Sequence, residues 1–381
     1  MSLPLFPVTT VGSWPRPRNV VEAMRAYRLG RIDRAERDRA ADAAVIDLLR
    51  LQGTLGCDIV TDGELRRDNF YSFVADKLSG VRLMTLAEML DVVEDKASFE
   101  RLLQTLDVPA YSISSPVCTG RIERTEPLAV DDFVFARRHT DLPIKVTLPG
   151  PYLLTRAMFV PEVTRAHYAG KEALARDVVA LLRAELADLR SAGAAFVQFD
   201  EPVLTEVAFA PGRTRTFMCA ALAARSDPAE ELEFAVSLIN DVVAGIDGVR
   251  LGLHVCRGNW SRDESTLLCG GYQALRPYLD RVRITQLVLE CATDRAGALL
   301  AFEGKELGLG VVNPRTDQVE TAADIRSAVE QALELYPADR LFLNPDCGFG
   351  TFSHRPMNTP AIASAKVAAM AAAARDLRGS A

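Results

Sequence analysis

Residues 249–258 read VRLGLHVCRG. Branched and aliphatic residues recur here with the short period of a strand, and the run stops at Arg-Gly, a turn signal. Residues two apart on a strand share a face, so His254 and Cys256 project towards one point. Seven further runs of this kind are present: Val8–Val11 before GSW, Asp58–Thr61 before DGE, Ile144–Leu148 before PGP, Ala195–Phe199 before DEP, Ile284–Leu289 before EC, Gly310–Val312 before NP, and Arg340–Leu343 before NPDCG. Longer Ala, Leu, Arg and Glu segments with helical spacing separate them, among them Glu172–Ala192 and Ala322–Leu335. Eight strand-helix repeats predict an α/β protein built as a (β/α)8 TIM barrel.

One segment departs from the repeat. Leu86–Leu106 is a charged helical stretch, and AYSISSPVCTGRIE (110–123) is strand-like. Together they predict an inserted helix and β-hairpin at about residues 82–127, packed on the barrel. No linker rich in Gly, Pro or Ser divides the chain, so residues 1–381 read as a single barrel domain. The tail AKVAAMAAAARDLRGSA (365–381) reads as a final helix that frays.

The 381 residues carry 44 Lys plus Arg against 51 Asp plus Glu, a net charge of −7, and 49% of positions are hydrophobic. That balance excludes disorder, and it disfavours nucleic acid or an anionic membrane as partner, since both demand clustered positive charge. Small molecules are the expected partners. No apolar run nears the roughly 20 residues that span a bilayer, and MSLPLFPVTTVGSW lacks a basic region followed by an apolar one. A cytoplasmic location is expected. The seven cysteines, an odd number thinly spread, do not form a disulfide framework. Oligomeric state is open, and a homo-oligomer is allowed.

In a barrel of this type the chemistry lies at the carboxyl ends of the strands. Those ends supply His254, Cys256, Glu290 and Cys347, donors that suit tetrahedral zinc. An isolated His-x-Cys pair is more often a packed histidine beside a small apolar cysteine. Four donors on strand ends of one rim point to a metal instead.

These signals, with TVGSWPRP (10–17), QFDEPVL (198–204) and NPDCG (344–348), resemble the catalytic domain of cobalamin-independent methionine synthases over about Val8–Asp376. The resemblance implies a Zn2+ ion held by His254, Cys256, Glu290 and Cys347, and transfer of a methyl or other alkyl group to the sulfur of a small thiol. A free thiol, with a pKa of about 8.5, is mostly protonated at neutral pH; metal coordination removes that proton while the sulfur stays nucleophilic.

By the same resemblance, Asp200 and Glu64 hold the amino group of an amino-acid thiol such as homocysteine, and Gly12 with Ser13 clamp its carboxylate. Other readings stand beside these: Glu64 as a solvated helix-start residue, Ser13 as a helix cap, Asp346 as a capping group. Arg257, and Arg66 with Arg67, offer bidentate contact to an anionic group or form ordinary surface ion pairs. Trp14, Trp260 and Phe349 offer stacking faces, or pack in the core.

The chain departs from the family in GLGVVNPRTDQVE (308–320), where Arg315 stands in place of a histidine assigned to proton delivery to the folate leaving group. Arginine does not release a proton near neutral pH. The pterin-supporting tryptophan is also absent from LPGPYLLTRAMF (148–159), which puts a folate donor in doubt, and His354 is the candidate substitute. A sister enzyme, epoxyalkane coenzyme M transferase, offers an alternative in which Arg315 would stabilise an alkoxide as thiolate opens an epoxide. A sulfonate-bearing thiol fits poorly beside Asp200 and Glu64. Two further alternatives are a zinc-free barrel like uroporphyrinogen decarboxylase and a barrel with a merely structural zinc. The candidate catalytic residues are therefore Asp200, Glu64 and Arg315; the candidate substrate-binding residues are Gly12, Ser13, Glu64, Asp200 and Arg257.

Overall fold

Strands in this chain fall into two sets. The structure, a computed structural model, describes residues 3–92, 114–209 and 227–380. Strands β1 (Leu78–Thr85) and β2 (Ser114–Arg124) pair antiparallel. Strands β3 (Lys145–Pro149), β4 (Phe196–Asp200), β5 (Arg250–Val255), β6 (Gln286–Leu289), β7 (Glu306–Val312) and β8 (Leu341–Pro345) form a parallel sheet in chain order. Nearly every residue of the second set is buried, as expected of a parallel sheet covered by helices.

Backbone hydrogen bonds close this sheet into a ring through two short extended runs. Leu343 N donates to Pro7 O at 2.9 Å and Thr9 N to Leu343 O at 3.0 Å, so the run at Val8 lies beside β8. Asp58 N donates to Val8 O, and Val60 N and Pro143 O, then Lys145 N and Val60 O, join the second run to β3. Eight parallel segments thus make the expected (β/α)8 barrel. The first two are only single-bridge contacts, because Pro7 and Pro143 lack the N–H that would lengthen each ladder.

The helices follow their periodicity. Lys171–Ser191 buries Leu174, Val178, Leu181, Leu182, Leu186 and Leu189, one stripe at helical spacing. Among the described residues no helix is long and apolar enough to cross a membrane.

The expected hairpin starts earlier than its sequence suggests, at Leu78. Gly80, at φ +71°, sits in a bulge between Ser79 and Val81 and interrupts the alternation that would have marked β1. The helix Leu86–Val92 matches the start of the charged stretch, whose remainder, with 110–113, lies outside the described residues. A second correction concerns the tail. The helix Pro360–Ser380 buries Ala363, Val367, Met370 and Ala374, and Arg378 donates to Leu5 O, Phe6 O and Asp58 Oδ2. Those bonds pin its last turn beneath the first strand-like run, where the sequence suggested fraying.

Candidate active site

β5 and β8 carry the centre of the site. His254 is paired in register with Asp200 of β4, Cys256 follows the last residue of β5, and Cys347 lies two residues beyond β8. All three are buried, and the ligand atoms of His254, Cys256 and Cys347 lie within 4.8 Å of one another. The His254 Nδ1 lies 3.1 Å from Val288 O, which fixes Nδ1–H as donor and leaves Nε2 without an oxygen or nitrogen partner among the described residues. This arrangement of imidazole and two thiols could hold a metal ion, with one ring nitrogen already oriented.

The protonation of the trio supports that use. The Cys347 thiol hydrogen-bonds to Cys256 and, with His254, holds the Cys256 thiol well below its usual range despite burial. Cys347 is correspondingly pushed up. Burial works against charge on His254, but the contact with Cys256 outweighs it and raises the ring to about 9. A thiolate, an imidazolium and a thiol sharing protons in a dry site are groups that a cation would organise.

Beside them runs an acidic wall. A cavity is lined by Ser13, Glu64, Asp200, His254, Cys256 and Cys347, with Phe70, Asn259 and Thr351 nearby. Glu64 is buried at φ +54°, in a turn and not at a helix start, so the reading as a solvated helix-start residue falls away. Its Oε1 accepts from the Thr147 hydroxyl at 2.9 Å, and Oε2 has no partner among the described residues. Burial pushes Glu64 up, against the pull of Arg67 and Arg16. Asp200 accepts from Gln198 Nε2 at 2.8 Å, and burial raises it to about 7.

Glu290 stands apart from the trio. It follows β6 as expected, yet its oxygens turn to arginines: Arg315 Nη2 donates to Oε1, and Arg257 donates its backbone N–H to Oε2 at 3.0 Å. Arg257 Nη1 lies 3.5 Å from Oε2 and Arg295 Nη2 3.7 Å from Oε1. Burial alone would raise this carboxyl, but the three guanidinium groups hold it below the usual range. Glu290, Arg257 and Arg315 do not line the cavity.

Other expectations resolve at the same time. Ser13 lies at the cavity while Gly12 sits behind it against the Glu64 carboxylate, and Ser13 is not a helix cap, since the nearest helix begins at Arg18. Glu201 is spent on the backbone N–H groups of Tyr152 and Leu153, at the start of the helix Pro151–Met158, where a carboxylate satisfies two orphan donors. Asp346 accepts from the N–H groups of Cys291 and Ala292, fixing the turn after Glu290. Arg66 pairs with Asp42 and Asp132, and Arg67 reaches the Thr147 carbonyl. Trp14 and Phe349 pack edge to face at 5.5 Å. His354 is exposed on a rim loop beside residues 261–263 and does not line the cavity.

Sequence reading missed Gln198, Thr147 and Asn259. Gln198 lies two residues before Asp200 on one strand, so the period of two would have placed it on the same face. Asn259 Nδ2 bonds Gly348 O and the Thr351 hydroxyl, each at 2.7 Å, a loop-to-loop contact with no local signal.

Residues 6–375 match the family model for the cobalamin-independent synthase catalytic domain, and the chain belongs to that family. Among curated relatives, a methionine synthase of Saccharolobus solfataricus is 28% identical over 359 residues, covering 93% of this chain and 91% of its own. One from Pyrococcus furiosus is 28% identical over 382 residues, covering 99% and 94%. In fold, the chain superposes on a B12-independent methionine synthase from a Shewanella species, solved with selenomethionine, with a TM-score of 0.74 at 23% identity over 99% of this chain and 98% of that one. A putative vitamin-B12 independent methionine synthase from Listeria monocytogenes gives 0.69 at 19% identity, with 99% of each chain covered.

Proposed function

We propose that this chain is a zinc-dependent transferase that moves a methyl or other alkyl group onto the sulfur of a small amino-acid thiol, of which homocysteine is the example. The observation that carries the reading is the convergence of His254, Cys256 and Cys347 beside two buried carboxyls that, among the described residues, have no cationic side chain within hydrogen-bonding distance. One imidazole and two thiolates are a zinc donor set, and three protein ligands leave one position for an incoming group, the pattern of catalytic and not structural sites. Zinc bound there would keep the acceptor's sulfur as a thiolate at neutral pH.

The chain's own groups then orient the acceptor. Asp200 and Oε2 of Glu64, unpartnered among the described residues, are acceptors that suit an ammonium group, and the Ser13 hydroxyl at the cavity, with the backbone of the adjoining Gly12, suits its carboxylate. That wall repels a sulfonate. The two arginines that would welcome one, Arg257 and Arg315, are committed to Glu290 and to backbone carbonyls. The coenzyme M reading therefore has less support. The donor is one that needs no proton from residue 315, since a buried guanidinium paired with a carboxylate has none to give. The described cysteines are all free, as a reducing cytoplasm would keep them.

The test is zinc content of the purified protein, followed by calorimetric titration with homocysteine and with coenzyme M. Stoichiometric zinc with homocysteine binding and proton release is the expected result. Protein that is folded and active without metal, or that binds coenzyme M alone, would overturn the reading.

A further inference from the structure

Arg16 stands between two prolines in WPRPR (14–18). Pro15 fixes its own φ, and Pro17 restricts the residue before it to extended conformations, so the Arg16 side chain leaves a stiff stretch of chain. That side chain is buried and does not line the cavity. Each nitrogen of its guanidinium donates to a different backbone carbonyl: Nε to Arg67 O at 2.7 Å, Nη1 to Gly350 O at 2.6 Å and Nη2 to Glu64 O at 2.9 Å. Three loops thus meet on one group, those that follow the run at Val8, the run at Val60 and β8. Gly350 permits the meeting, since a side-chain carbon there would overlap Trp14 O.

The backbone that this clamp holds most tightly is that of Glu64. Among the described residues, only Glu64 and Phe6 have positive φ without being glycine. A residue with a side chain keeps that conformation where its surroundings over-determine it. Around Glu64 they do: its N–H donates to Asp62 Oδ1 at 2.9 Å, and its carbonyl accepts from Arg67 N at 3.0 Å as well as from Arg16. The backbone so held brings the carboxylate to the Thr147 hydroxyl and over Gly12, in the wall of the cavity.

We propose that Arg16 is a positioning residue for recognition of the acceptor's ammonium group, acting through the Glu64 carbonyl to keep Glu64 left-handed and its carboxylate in the cavity wall. The proposal rests on the reading above, in which Glu64 and Asp200 meet an amino-acid thiol. Its physical basis is the geometry of the donors. A planar guanidinium presents its N–H groups in a rigid fork and serves three carbonyls at once, whereas the ammonium of a lysine is a single point that cannot. Losing one leg of the fork leaves a buried carbonyl unpaired. The strained turn at Glu64 is where that cost is most readily relieved, by a return to ordinary backbone angles that swings the carboxylate away from Thr147.

The experiment measures dissociation constants by calorimetry on the full chain, for homocysteine and for 4-mercaptobutyrate, which is homocysteine without its amino group. Wild type is compared with Arg16→Lys, Arg16→Met, Glu64→Gln and the double variant Arg16→Lys with Glu64→Gln, with circular dichroism on each sample. Arg16→Lys keeps the charge and loses the fork. It should weaken homocysteine binding about 10-fold or more, and Arg16→Met at least as much, the scale of a lost hydrogen bond to a charged group. Affinity for 4-mercaptobutyrate should stay within about 3-fold of wild type in both, since that thiol never meets the Glu64 carboxylate through an ammonium group. The double variant should bind homocysteine within about 2-fold of Glu64→Gln alone, because two residues that act through one contact are not additive. Wild-type affinity in Arg16→Lys, equal losses for the two thiols, or fully additive losses in the double variant overturns the proposal and leaves the reading of the acidic wall intact. Should Arg16→Met fail to fold, Arg16→Lys and the double variant still decide. Homocysteine affinity that is unaltered in Glu64→Gln, or absent in wild type, overturns the reading of the wall and the proposal together.

Discussion

The Glu64 carboxylate lies directly over the α-carbon of Gly12. A side-chain carbon on Gly12 would overlap Glu64 Oε1 and come within 2.9 Å of the Thr147 methyl group. Glycine is therefore required at residue 12 by close approach and not by a turn, since its φ is not in the left-handed region. The two residues belong to different strand ends, so one wall of the cavity depends on what the other lacks.

That contact gives the first prediction. Gly12→Ala should displace the Glu64 carboxylate and raise the KM for an amino-acid thiol about 10-fold or more, with zinc content unchanged. Unaltered KM in a folded Gly12→Ala protein would remove Glu64 from the binding wall.

Asp200 faces the same cavity from β4, with Gln198 bonded to one oxygen. Asp200→Asn keeps the shape and removes the acceptor charge. Affinity for homocysteine should fall by about 10- to 100-fold, the range of a lost hydrogen bond to a charged group, while affinity for a thiol without an amino group should change little. Equal losses for both thiols would mean that Asp200 does not meet the ammonium group.

At the centre, Cys347→Ala should abolish transfer and lower zinc occupancy while the barrel stays folded. The cavity left by a small buried thiol costs only about 1–2 kcal/mol, whereas a catalytic zinc site with one ligand missing loses affinity steeply. Zinc by elemental analysis and circular dichroism on the same sample check both halves. Normal turnover in this variant would contradict the assignment.

Much of the barrel could be read from the sequence, and the reasons for the failures are specific. The six runs that became β3 to β8 are buried on both faces and stop at Gly, Pro or acidic turns, so composition alone marks them. β1 escaped because Gly80 breaks its alternation, and the partner of β1 lies some 30 residues onward. In the site, His254, Cys256 and Cys347 were legible because strand ends converge on one rim. The direction in which Glu290 turns was not. It depends on Arg257, Arg295 and Arg315, which arrive from three separate loops, and nothing local in the sequence announces their meeting.

The closing helix yields a prediction about stability. Arg378 bonds Leu5 O, Phe6 O and Asp58 Oδ2, joining the last turn of the chain to its first strand-like run. Arg378→Ala should destabilise the protein by about 1–2 kcal/mol, the scale of charged hydrogen bonds in a partly screened site, and should speed amide exchange in residues 370–380 selectively. Exchange rates there that match wild type would show that the helix needs no such pin.

Lys145 opens β3 at the opposite, amino-terminal end of the barrel. It is 1% exposed, its Nζ has no hydrogen-bond partner among the described residues, and it lies 5.5 Å from the centre of the Phe196 ring. Burial lowers this amine to about 7. As pH falls below about 10.5 the unfolded chain takes up a proton there, whereas the folded chain does so only below about 7. The folded state is therefore progressively penalised between those values, and the penalty is complete at and below about pH 7. Lys145→Met, which keeps the length and removes the charge, should stabilise the barrel by a few kcal/mol at pH 6.5 and by much less at pH 9.5, on the scale of about 1.4 kcal/mol per pH unit of displacement. Urea unfolding of both proteins at the two pH values measures the difference. A gain that is the same at both would mean that the amine keeps its proton in the folded barrel, held by a partner that the apolar surroundings of Phe196 do not provide.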